Sequence, residues 1–153
     1  MAWTSKLPGA VDGLVRIFKA WPGLTDATVL DGPTTSQATL TDVVAVGFTG
    51  GDEGTDGEST LLTEGLGGGV DREQFSIRCT AVCLRGTDDL PGARSRAYQL
   101  LSEAGAAIAA DRTLGGTVMR AMIGSHSLSQ GFTQSGAQAT VTFEVACDAY
   151  SGV

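Results

Sequence analysis

The chain has 153 residues, 42% of them hydrophobic, enough for one domain whose core needs neither disulfides nor a metal. Its net charge is −7, with 17 acids against 10 lysines and arginines, so binding a phosphate backbone is excluded as its main task. No apolar run reaches membrane-spanning length, no basic-then-apolar leader opens the chain, and Cys79, Cys83 and Cys147 form an odd set without a C-x-x-C pair. The expectation is a chain made and kept in a cytoplasm, with reduced thiols and no disulfide framework.

Val11, Leu14, Val15, Phe18 and Trp21 recur at three and four residues, which predicts a helix within Ser5 to Trp21. Pro8 suits its start, and Pro22-Gly23 ends it. Residues 27–31 read as a short strand closed by Asp31-Gly32-Pro33, and 42–48 as a buried strand. Residues 50–71 are different. They hold eight glycines, the acids Asp52, Glu53, Asp56, Glu58, Glu64 and Asp71, and no basic residue. Such a segment cannot build a core, so a long mobile loop is expected, either functional or ordered by a partner.

Residues 72–85 predict a long strand, with Phe75, Ile77, Cys79, Ala81 and Cys83 on one face and Gln74, Ser76, Arg78 and Thr80 on the other. Val82 and Leu84 interrupt the polar face, which suggests that this end is covered on both sides. Asp88 or Asp89 then caps a helix with Pro91 in its first turn. Ala93, Ala97, Leu100, Leu101, Ala104 and Ile108 form its buried stripe to about Asp111, and the many alanines let it lie close to a sheet. Gly115-Gly116 reads as a C-cap and tight turn. A strand over 117–130 follows, with Met119, Ala121 and Ile123 alternating, then a turn within 131–136. The return strand, 137–147, alternates most cleanly, with Ala137, Ala139, Val141, Phe143, Val145 and Cys147 inward. The predicted fold is α+β, an α/β sandwich. One antiparallel or mixed sheet of about five strands carries two helices on one face and ends in a long C-terminal hairpin.

Little in this pattern points to catalysis. The three cysteines and His126, the only histidine, lack zinc spacing, and small buried core thiols are the simpler reading. Ser125 and Ser127 flank His126, but strand neighbours point to the opposite face from it. Gly65-Leu66-Gly67-Gly68-Gly69 lacks the Gly-Lys-Ser/Thr ending of a phosphate loop. The Asp52–Glu58 acids lack the alternating oxygen ligands of a calcium loop. No metal, cofactor or catalytic residue is expected. The outward faces over 74–80 and 138–144 are rich in Gln, Thr and Ser. Gln138, Thr140 and Thr142 therefore suit hydrogen bonding to another protein, although the same pattern also serves a plain solvated face.

Several segments occur in a telling order: Leu30-Asp31-Gly32-Pro33, Val43-Val44-Ala45-Val46-Gly47, Phe75-Ser76-Ile77-Arg78-Cys79 and Ala93-Arg94-Ser95-Arg96-Ala97. Asp111-Arg112-Thr113-Leu114-Gly115-Gly116 and the strand over 136–145 complete the series. In this order they resemble the tail terminator (tail-completion) proteins of long, non-contractile-tailed phages, over roughly Val11 to Tyr150. The likeness is greatest to versions from phages of actinobacterial hosts.

The resemblance implies a virion structural protein made in the host cytoplasm and placed at the neck, on top of the tail. Six copies would form a ring that caps the tail tube, stops its polymerisation and offers a joining surface to the head. The implied partners are further copies of itself, the major tail tube protein and a head-completion or connector protein. Genomic DNA would pass through the lumen without specific binding, which an acidic wall favours, and no membrane is involved. On this reading Gln130, Phe132 and Gln134 at the hairpin tip contact a neighbouring copy or the tube. The acids Asp52, Glu53, Asp56, Glu58 and Glu64 would line the lumen, meet a neighbour, or sit in a surface loop. The competing expectations are a neck connector of the same particle and, from another class, a small enzyme or ligand-binding domain.

Overall fold

The computed structural model describes residues 4–33, 41–48, 55–62 and 71–151. In chain order the elements are α1 (Leu7–Ala20), β1 (Thr28–Asp31), β2 (Asp42–Val46), β3 (Gly57–Leu62), β4 (Asp71–Arg85), α2 (Leu90–Ala110), β5 (Arg120–Thr133) and β6 (Gly136–Ser151). A 3-10 turn, Pro22–Leu24, follows α1. The strands form one mixed six-stranded sheet in the order β1-β2-β4-β6-β5, with β3 beside β4. Only β1 and β2 run parallel. β3 and β2 lie end to end along one edge of β4, opposite residues 72–77 and 79–83 respectively. This is the predicted α+β sandwich with its C-terminal hairpin.

The periodicities explain the layers. Phe75, Ile77, Cys79, Ala81 and Cys83 of β4 and Ala137 to Cys147 at alternate positions of β6 make one buried face. Both helices pack on that face, α1 over β1, β2 and β4, and α2 over β4, β6 and β5. Leu14 and Phe18 anchor α1; Leu100 and Ile108 anchor α2. Burying each such side chain contributes about 1.5–3 kcal/mol. Along α2 the remaining buried positions are mostly small: Ala93, Ala97, Ala104 and Ala107. They meet a sheet face that is itself small at Ala81, Ala137 and Ala139, so helix and sheet approach closely. Asp89 caps α2 by accepting the Gly92 amide at 3.0 Å.

Polar clamps fix the helices to the sheet. Arg96 on α2 is almost buried; it reaches Asp26 at 2.9 Å and Asp42 on β2 at 3.2 Å. Burial alone would lower its pKa, but the two carboxylates outweigh this and raise it. Trp21 donates its indole N–H to Glu103 at 2.8 Å, joining the end of α1 to α2. The third clamp is Glu73, a fully buried carboxylate on β4. It accepts from the Ser5 hydroxyl at 2.5 Å, the Lys6 amide at 2.8 Å and the Ser59 hydroxyl at 2.7 Å. Helix α1 has no acid in its own first turn, so Glu73 supplies from the sheet the negative charge that a helix N-terminus favours.

Three expectations need correction. Residues 57–62, inside the segment read as a loop, form β3 against β4. The rest of that segment, including Asp52, Glu53 and Glu64, lies outside the described residues. Helix α2 ends on Asp111, and Gly115-Gly116 is not its cap. A loop intervenes in which Leu114, Gly115 and Gly116 all have positive φ, held by Asp111 accepting the Gly115 amide at 3.0 Å. The outgoing strand starts at Arg120 rather than Thr117, because the loop still turns there; Met119 is exposed and Val118 takes the buried place. The end of β4 read as covered on both sides has Val82 and Leu84 half-buried, with Val43, Ala45 and Thr80 buried beside them on the outer face.

Burial pushes the Glu73 pKa up, but the hydrogen bonds from Ser5, Ser59 and Lys6 prevail and lower it below its ordinary 4.5. The ionised carboxylate therefore adds stability above pH 4.5, and that stability is lost as pH falls through the folded value. Thermal melts from pH 7 to pH 3 are expected to show a drop that Glu73→Gln flattens. At pH 7 the same substitution is expected to cost about 1–3 kcal/mol.

Candidate interaction surface

The feature left uncovered by the packed layers is the second half of β5, the edge strand of the β5–β6 hairpin. The hairpin's strands are 14 and 16 residues long and are joined through Gln134 and Ser135. Gly136 closes the turn with φ +119°, and a Cβ there would lie 2.0 Å from the Arg85 carbonyl oxygen. Only glycine fits this passage of the turn against β4.

Halfway along β5 the register slips. Ile123 pairs with Val145, but Ser125 pairs with Glu144, leaving Gly124 as a bulge. Before the bulge Ala121 and Ile123 face the helices. After it the inward positions are His126, Leu128, Gln130 and Phe132, opposite Phe143, Val141, Ala139 and Ala137. The partners on β6 are buried, but Leu128 is 38% exposed and Phe132 66% exposed. Helix α2 touches this stretch through two polar contacts. The Tyr98 hydroxyl lies 3.3 Å from His126 Nδ1, with the rings edge to face, and Arg94 donates to the Gln130 amide oxygen at 3.1 Å.

The residues expected at the interface therefore divide between two sides of the hairpin. Gln130 and Phe132 lie on the helix side, Gln134 is in the turn, and Gln138, Thr140 and Thr142 lie on the outer face. Near the turn a shallow depression is lined by Gln138 and Thr140 and by the neighbouring stretch of β5, whose Gln130 and Phe132 side chains turn to the other side, while Thr142 lines another with Arg78 and Glu144. Of the acidic set, Asp56 and Glu58 are described, and both are exposed. Glu58 lies on β3 far from the hairpin's turn, so the structure does not join the two groups into one site.

The outer sheet face has two halves. Near β3 it carries charges that pair with one another: Arg72 with Asp148 at 3.0 Å, and Arg78 with Glu144 at 3.8 Å. Half-exposed pairs of this kind contribute at most about 1 kcal/mol each, so they set local geometry more than stability. Toward the turn the face is uncharged, with Thr80, Gln138, Thr140, Thr142, Ser127, Ser129 and Thr133. Sequence reading missed Leu61, Leu62, Met122 and Leu128, which are 38–46% exposed. The available signal was the stretch 121–133, which has no charged residue and no proline although it forms an edge strand.

The chemistry-bearing side chains stay apart. Ser125 turns to the outer face and donates to Glu144 at 3.1 Å, away from His126. Among the described residues no three potential metal ligands cluster. Cys79, Cys83 and Cys147 are free and buried in the core. No known family model matches the chain, and no curated protein is detectably similar to it in sequence.

Burial pushes the three thiols up, Cys79 and Cys147 to about 12 and Cys83 to about 11. Thiolate is the reactive form, so the native chain is expected to resist a disulfide reagent at pH 8. All three thiols are expected to react once denaturant opens the core, and a stoichiometric thiol count with and without denaturant checks this.

Proposed function

We propose that this chain is a phage virion structural protein that caps the completed tail tube. In this reading copies associate as a ring, six in number, stop tube polymerisation and offer the surface on which the head joins. Its partners are other copies, the major tail tube protein and a head-completion protein, and DNA passes through the acidic ring without being gripped. The order of motifs along the chain supports this reading. The observation that carries it is the edge strand β5: long, uncharged after Arg120, and bearing Leu128 and Phe132 where no core covers them. A cyclic ring needs contacts between unlike patches on successive copies, and such a strand is a suitable part.

Electron microscopy of particles made with this gene silenced tests the proposal. Filled heads beside free tails of irregular or excessive length are the expected outcome. Free tails of uniform, normal length would instead make the protein a neck connector, and intact particles would overturn both. Phe132→Ser is expected to leave the melting of the isolated chain within about 0.5 kcal/mol of wild type, because the ring is exposed. The same variant is expected to impair capping of tails. Normal capping by it would remove Phe132 from the contact.

A further inference from the structure

We infer that copies of this chain join head to tail by strand addition, the free edge of β5 in one copy pairing with the free edge of β3 in the next. The inference deepens the ring reading and names the surfaces that make it.

Two sheet edges are open among the described residues besides the short β1: β5 on one side and β3 on the other. Open edges are templates for another strand, and folded proteins blunt them with charge, proline, bulges or shortness. β1 is blunted by having only four residues and by Pro33 just beyond it. β5 is long and has neither charge nor proline after Arg120; the Gly124 bulge is its only interruption. Such an edge invites pairing with another strand.

The other edge matches it in three respects. The first is direction. β3, β4, β6 and β5 alternate in sense, so a copy added with the same orientation sets its β3 antiparallel to β5 and continues the alternation. The second is apolar pattern. Leu61 lies on the helix-side face, as Ile123, Leu128 and Phe132 do, while Leu62 lies on the outer face with Met122. All but Ile123 are exposed in the single chain, and strand addition would put them on matching faces. The third is charge. The β3 side presents Asp56 and Glu58, while the β5 side presents Arg94, held on α2 against Gln130 two residues from Leu128. Opposite signs on the two edges favour unlike pairing over β5 with β5.

The test uses two full-length variants, Leu128→Lys on β5 and Leu61→Lys on β3. Both positions are exposed, so unchanged circular dichroism is expected to confirm folding. Each variant alone is expected to raise the dissociation constant of self-association by at least about tenfold, as sedimentation measures. Mixed in equal amounts, they retain one good β5 edge and one good β3 edge between them. They are expected to form a dimer and stop there. Three outcomes overturn the inference: a wild-type chain that stays monomeric at its highest soluble concentration, a Leu61→Lys variant that associates like wild type, or a mixture that forms no dimer. Assembly by Leu61→Lys alone would point to symmetric β5 pairing. Any of these failures can occur while silencing the gene still gives tails of uncontrolled length, so the edge pairing and the tail-capping reading fail separately.

Discussion

The fold depends on the ladder between β4 and β6, which pairs without interruption from Asp71 opposite Ser151 to Arg85 opposite Ala137. Two long strands in strict register commit every second side chain to one side. That side must be buried, and α1 and α2 are the amphipathic elements available to bury it. β2 and β3 then share the remaining edge of β4, and β5 takes the remaining edge of β6. The long ladder thus decides which surfaces are left over. The outer face is polar over much of β4 and β6, at Gln74, Ser76, Gln138, Thr140 and Thr142, and apolar beside β2, at Val43, Ala45 and Val82.

Charge is used sparingly and at joints. Glu73 gathers the start of α1, the middle of β3 and the body of β4 around one carboxylate. Arg96 does the corresponding work between α2, β2 and the segment before β1. Each group ties a peripheral segment to core elements around it. β3 is the clearest case: all its residues after Gly57 are exposed, so backbone pairing and the Ser59 hydrogen bond hold it in place.

That same fact explains what could be read from the chain beforehand. The stripes of α1, α2, β4 and β6 were legible because burial imposes a period on them, and each residue assigned to the α2 stripe is buried. β3 was not legible, since a strand that buries none of its side chains leaves no alternation in Gly57-Glu58-Ser59-Thr60-Leu61-Leu62. The candidate contact residues were legible as types but not as places. Gln130 and Thr140 look alike in sequence, yet the Gly124 bulge sends β5 into a new phase, and they end on opposite sides of the hairpin. The Leu114-Gly115-Gly116 loop was visible as a turn, but where the helix stops depends on Asp111, whose carboxylate meets the Gly115 amide only in the folded loop.

The bulge at Gly124 has an evolutionary consequence. Strand geometry has a period of two, so an extra residue paired into the ladder exchanges the sides of everything beyond it, whereas one bulged out does not. The bulge lies outside the β4–β6 ladder, and the residues after it on β5 contribute nothing to the buried core. Deleting Gly124 would leave Ser125 opposite Glu144 and His126 opposite Phe143, so His126, Leu128, Gln130 and Phe132 would keep their side. Pairing Gly124 into the ladder instead would slip the rest of β5 by one and turn Ser127, Ser129, Gly131 and Thr133 to the helix side. The core would be untouched either way, so a change of register at this one point can alter what the edge displays, while loss of the bulged residue itself is silent.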